Sequence, residues 1–108
     1  MERWNQIQPD IFWKMLHEEG LDPALIIDVR EQEEWDYYHL NGSTLLPLSS
    51  FQETWEQVPM DRPVYIICAH GVRSQAVCRY LNEKGYGSLA NVVGGMAAVS
   101  HFDGFQYD

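Results

Sequence analysis

Val64-Tyr65-Ile66-Ile67-Cys68-Ala69-His70-Gly71-Val72-Arg73-Ser74 is an apolar run that ends in a cysteine, then a tight loop that closes on an arginine. A helical pattern begins with Ser74. A parallel strand covered on both faces reads as such a continuous run rather than as an alternation. Open α/β sheets bind ligands at the carboxyl ends of their strands, which is where Cys68 falls. Backbone N–H groups of the loop and first helical turn can converge there on an anion. A helix start and a neighbouring arginine each favour thiolate over thiol. The stretch therefore predicts a nucleophilic cysteine in an anion cradle. That reading needs amides aimed at the sulfur and a sulfur that solvent can reach.

Upstream, Ala24-Leu25-Ile26-Ile27-Asp28-Val29 predicts a second buried strand. Asp28 ends it, on the same edge as Cys68 if the two strands are parallel. Its carboxylate can accept backbone N–H bonds and fix a loop, or act as a general base. A thiolate activated by dipoles needs no base. Pro9 opens a helix whose apolar face is Ile11, Phe12, Met15 and Leu16, with Gly20 ending it. Residues 4–8 give a weak first strand. Arg30 through His39 reads as an acidic helix with a solvated face and an exposed Arg30–Glu34 pair worth about 0.3 kcal/mol. Trp35 and Tyr38 belong to the core, and His39 is a hydrogen-bonded structural histidine.

Ser43 through Pro47 predicts a short edge strand. Ser50 and Glu53 have capping-box spacing for a helix running to about Val58. Ser74 through Lys84 predicts a helix with Val77, Cys78, Tyr80 and Leu81 inside. Leu89 through Val93 is a last strand, and Gly94-Gly95 lets backbone pass close to a neighbour or ligand. The segment from His101 to Phe105 is a surface tail with one aromatic tucked in. Strand and helix alternate throughout, the pattern of a mostly parallel α/β sheet with helices on both faces.

A chain of 108 residues holds one core. A net charge of −9 argues against nucleic acid as partner, since that affinity rests on Lys and Arg. It leaves room for a small anionic substrate only where positive potential is local. No apolar run approaches the length of a membrane span, and Met1-Glu2-Arg3-Trp4-Asn5-Gln6 has no apolar h-region behind it. The expected location is cytoplasmic, with Cys68 and Cys78 as free thiols. Cys68-x-His70 offers too few ligands for zinc, so no metal is expected.

The loop Cys68-Ala69-His70-Gly71-Val72-Arg73-Ser74 resembles the active-site loop of single-domain rhodaneses, which are sulfurtransferases. Asp28-Val29-Arg30, then Glu34, then His39-Leu40-Asn41-Gly42 with Pro47 beyond, resembles that family's first signature. Val93-Gly94-Gly95-Met96 followed by Ala98 resembles the segment that closes the fold. The sequence departs from the family at Tyr38, where glycine is frequent, and at Val99, where tryptophan is common.

The resemblance implies a single rhodanese-like domain over residues 1–108, a five-stranded mostly parallel sheet flanked by helices, and no cofactor. Cys68 would take a sulfane sulfur from a donor such as thiosulfate, hold it as a persulfide, and pass it to cyanide, a thiol or a protein. Ala69, His70, Gly71, Val72 and Arg73 would bind the persulfide and the donor, supported by Asp28 and Ser74. Two alternatives stay open. One is a phosphatase or arsenate reductase, although those use a loop one residue longer. The other is a binding module that keeps the fold without turnover. His70 remains open between donating to substrate and being a solvated loop residue. Cys78 remains open between packing and resolving the persulfide.

Overall fold

The computed structural model describes residues 3–107; Met1, Glu2 and Asp108 lie outside it. Among the described residues, five strands form one sheet: β1 (Asn5–Ile7), β2 (Ile26–Asp28), β3 (Thr44–Leu45), β4 (Val64–Ile67) and β5 (Leu89–Val92). Their order is β1-β5-β4-β2-β3, and each neighbouring pair is parallel. The weak first strand is real, and it pairs with β5 at one edge. The short strand ending before Pro47 forms the other edge, where a missing N–H costs least.

The sheet is covered on both faces, as continuous apolar strands require. On one face, Ile27, Val64, Ile66 and Leu89 pack with Phe51, Val77, Cys78 and Leu81 of α3 (Phe51–Thr54) and α4 (Arg73–Glu83). On the other, Ile26, Ile67 and Val92 pack with Phe12, Met96 and Val99 of α1 (Pro9–Glu18) and α5 (Gly95–Val99). Cys78 is fully buried in the first of these clusters.

Three local readings are corrected. Ile11 is 53% exposed, and Trp13 takes its place beside Phe12 and Leu16 on the inner face of α1. Ser50 makes no side-chain cap; its hydroxyl donates to the Pro47 carbonyl. The single helix expected to run to Val58 is α3 between two 3-10 turns, Leu48–Ser50 and Trp55–Gln57. The real capping box lies on α2 (Gln32–Tyr37), between Glu31 and Glu34. His39 is structural as expected: its Nδ1 lies 2.8 Å from the Trp35 carbonyl and its ring stacks on Trp35.

Candidate active site

Chain leaving β2 proceeds outward to β3, whereas chain leaving β4 proceeds the opposite way to β5. Such a reversal opens a crevice at the carboxyl ends of the two strands between. Asp28 ends β2 opposite Ile67, so Cys68 and Asp28 flank that crevice.

Two amides point at the sulfur. The Gly71 N–H donates to Cys68 Sγ at 3.1 Å and the Ser74 N–H at 3.3 Å, with Ser74 Oγ also 3.3 Å away. Ser74 lies in the first turn of α4, where N–H groups lack helical partners. Gly71 reaches its position with a φ of +91°, which other residues adopt only under strain.

The loop is clamped from behind. The Met96 N–H donates to the Cys68 carbonyl at 2.8 Å, and the Ala97 N–H to the Ala69 carbonyl at 2.9 Å. A Cβ on Gly95 would lie 2.5 Å from the Cys68 carbonyl oxygen, so only glycine permits this approach. In a planar trans peptide the N–H points opposite to the C=O. Turning these carbonyls toward α5 therefore turns the amides of Ala69 and His70 away from it.

The structure brings Cys68, Gly71 and Ser74 together and places the other expected loop residues differently. Val72 is 76% exposed and His70 lies at the rim, edge-on to Tyr107. Arg73 is already engaged: Nη1 and Nη2 donate to the two oxygens of Glu34 at 2.8 Å each. The Arg73 hydrogen bond holds the Glu34 carboxyl well below its usual range, at about 2, and Glu34 in turn raises Arg73. The sulfur is also less open than the sequence reading needs, because Cys68 is 1% exposed and packs with Val29, Leu46 and Val77. A cleft of about 450 Å³ starts one residue beyond it, lined by Glu33, Glu34, Tyr37, Ala69, His70 and Tyr107.

The expected surface pair of Arg30 with Glu34 does not form. Arg30 is fully buried and pairs with Asp28, Nε at 3.0 Å from Oδ1 and Nη2 at 2.7 Å from Oδ2. Burial works against its charge, but the Asp28 carboxylate leaves it raised overall. Arg30 also donates to the carbonyls of Glu34 and Tyr38 and to the Tyr107 hydroxyl. Asp28 accepts the Arg30 backbone N–H as well, so its carboxylate fixes this turn, the structural option of the two.

Tyr38 and Val99 fill the places where the sequence departs from the family pattern. Tyr38 stacks on Phe105 and donates to Asp103 at 2.6 Å, which holds the tail against α2. Val99 is fully buried on the α1–α5 face. Sequence reasoning missed Tyr107 as a wall of the cleft, and nothing in its flanks signals it. It also passed over Asn91, although one amide inside the apolar run Leu89-Ala90-Asn91-Val92-Val93 was a visible anomaly. Asn91 accepts a short hydrogen bond from the Ser74 hydroxyl.

Among the described residues, no helix is long and apolar enough to cross a membrane. Residues 8–101 match the family model of the rhodanese-like domain. The chain is 31% identical over 103 residues to the thiosulfate sulfurtransferase GlpE of Actinobacillus succinogenes, covering 95% of this chain and 85% of that one. It is 30% identical to the protein of the same name from Haemophilus influenzae, covering 94% and 88%. A crystal structure of a rhodanese-like domain protein from Staphylococcus aureus superposes with a TM-score of 0.79 at 33% identity, covering 88% of this chain and 90% of that one. On the strength of that match, and of a cysteine loop set at the reversal of a five-stranded parallel sheet, the chain belongs to the rhodanese-like domain family.

Proposed function

We propose that this chain, as one rhodanese-like domain over residues 1–108, is a sulfurtransferase that carries sulfane sulfur on Cys68. The Cys68 thiolate attacks the outer sulfur of thiosulfate. A new S–S bond forms, the old one breaks, and sulfite leaves with the electron pair. The persulfide then gives its terminal sulfur to cyanide, a thiol or a protein, and the Cys68 thiolate returns. The atoms balance without a metal or organic cofactor.

The observation that carries this reading is the pair of amides aimed at Sγ, from Gly71 and Ser74. Hydrogen bonds to an ionised acceptor are about twice as strong as neutral ones, so this seat favours thiolate and persulfide over thiol. Four residues separate Cys68 from Arg73, a smaller ring than phosphatase loops of related fold use. Thiosulfate as donor is supported by the names of the GlpE relatives. Arg73 acts on the anionic donor through its charge and its remaining N–H groups, with Glu34 fixing its orientation.

One observation favours the second reading, a binding module without turnover: Cys68 is 1% exposed. Intact mass after thiosulfate treatment separates the two. A gain of one sulfur, removed by cyanide, kept in Cys78→Ala and absent in Cys68→Ser, is expected of the enzyme. No adduct with thiosulfate or with a low-molecular-weight persulfide would leave the module.

A further inference from the structure

Behind Cys68, a chain of side-chain hydrogen bonds runs across the sheet to the edge formed by β1. Ser74 Oγ lies 3.3 Å from the sulfur and donates to Asn91 Oδ1. Asn91 Nδ2 donates to Gln6 Oε1 at 2.8 Å. Gln6 and Gln75 pair amide to amide, each donating to the other at 2.9 Å. Trp4 Nε1 donates to Gln75 Oε1 at 2.7 Å.

The direction of this chain is fixed at its far end. An indole N–H only donates, so the Gln75 atom facing Trp4 is its oxygen. The Gln75 nitrogen then faces Gln6, whose oxygen must receive it. That oxygen also receives Asn91, so Asn91 presents Nδ2 to Gln6 and Oδ1 to Ser74. Ser74 has one hydroxyl proton and gives it to Asn91. Only a lone pair is left facing the sulfur, suited to accept from S–H and unsuited to S⁻.

We propose that Asn91 is a positioning residue for Cys68: through Ser74 it holds the hydroxyl beside the sulfur turned away until negative charge develops there. When the thiol proton leaves to water, the Ser74 hydroxyl rotates to donate to S⁻, and Asn91 Oδ1 gives up that donor. Ionising Cys68 therefore costs the protein one buried hydrogen bond while supplying another to the sulfur. Asn91 sets the balance between the two from a strand that does not carry the loop.

Charged and titratable groups also stand on the elements around the sulfur. From the loop these are Arg73, with His70 as a titratable neighbour, from α2 Glu34 on Arg73, from α4 the thiol of Cys78 in the same buried cluster, and from the end of β2 the Asp28–Arg30 pair. Tyr107 of the tail lies beyond His70. Neither β5 nor α5 carries a titratable side chain, so a change at Asn91 alters none of these charges.

The test is the pH midpoint for alkylation by iodoacetamide, followed on the Cys68-bearing peptide. The inference deepens the proposal that Cys68 carries sulfur, but alkylation reads the thiolate without any sulfur transfer, so the two fail separately. Asn91→Leu frees the Ser74 hydroxyl to face the sulfur. The midpoint is expected to fall by about 0.5–1 pH unit, the scale of one hydrogen bond exchanged beside an ionising group. In a Ser74→Ala background the same substitution is expected to move nothing, because the hydroxyl through which it acts is gone.

Trp4→Phe, remote from the sulfur, removes the donor that orders the chain and is expected to lower the midpoint as well. It serves where Asn91→Leu does not fold. An unmoved midpoint in a folded Asn91→Leu protein, or in Trp4→Phe where that variant stands in, overturns the inference. So does a shift of equal size with and without Ser74.

Discussion

Glu34 and Arg73, 39 positions apart, meet through two parallel hydrogen bonds of 2.8 Å and thereby join α2 to the cysteine loop. The Arg73 guanidinium holds the Glu34 carboxyl at about 2, against an ordinary 4.5. A carboxylate depressed by folding contributes stability above its unfolded value and loses it as pH falls toward the folded one. The side chains are 30% and 35% exposed, so water screens the pair. The contribution is about 1 kcal/mol. Urea unfolding of the native protein and Glu34→Gln should differ near neutrality and converge as pH drops from 4.5 toward about 2. A constant gap across that window would assign the difference to something other than this charge.

Arg73→Ala should impair use of thiosulfate by about 1.5–3 kcal/mol in kcat/KM, the range for a charged hydrogen bond. Arg73→Lys should not restore it, since a point charge cannot fork onto the two Glu34 oxygens and so loses its fixed orientation. A folded Arg73→Ala enzyme with native kinetics would take Arg73 out of the site.

The Asp28–Arg30 pair is a different case, because both side chains are wholly shielded from water. Removing one partner strands a buried charge, at a cost of about 3–5 kcal/mol. Arg30→Met should therefore destabilise far more than Glu34→Gln in the same denaturant titration. Replacing both residues with apolar ones, Asp28→Leu with Arg30→Met, should recover part of the loss. A single variant as stable as the native protein would mean the turn is held by something else.

Glycine substitutions separate backbone strain from collision. Gly20 has a φ of +77°, and a Cβ there would meet nothing within 4 Å. Gly20→Ala should cost about 1 kcal/mol, for the left-handed conformation alone. At Gly95 the same strain is joined by contact at 2.5–2.7 Å with Cys68 and Ala69 backbone. Gly95→Ala should cost about 2–5 kcal/mol and lower sulfur transfer in whatever fraction stays folded. Equal melting temperatures for the two variants would show that α5 does not clamp the loop.

The strand–loop–helix around Cys68 was legible because its signals are local. A continuous apolar run, one glycine and a helix start can be read within a dozen residues, and the Gly94-Gly95 approach likewise. Partners set by tertiary contact were not legible. Spacing pairs Arg30 with Glu34 on one helix face, yet Arg30 precedes the first turn of α2 and folds back onto Asp28, so helical periodicity never applied to it. Glu34, left unclaimed, then meets an arginine from another element. The burial of Cys68 also escaped the sequence, since a residue at a strand end can face solvent or core and only packing decides. Asn91 stood out as polar within an apolar strand, but its role depends on Trp4 and Gln6, which β1 brings alongside β5.

Because Met96 and Ala97 of α5 already hold the carbonyls of Cys68 and Ala69, the two peptides that follow the sulfur-bearing residue stand oriented before any substrate arrives. A solvent shell would have to reorient as a whole each time charge appeared there; here the peptides are held by hydrogen bonds and the Ser74 hydroxyl alone turns. Loading and unloading a sulfur atom can thus proceed without remaking the peptide backbone, and the folding energy stored in the α5 contact is spent once, at synthesis, rather than in every cycle.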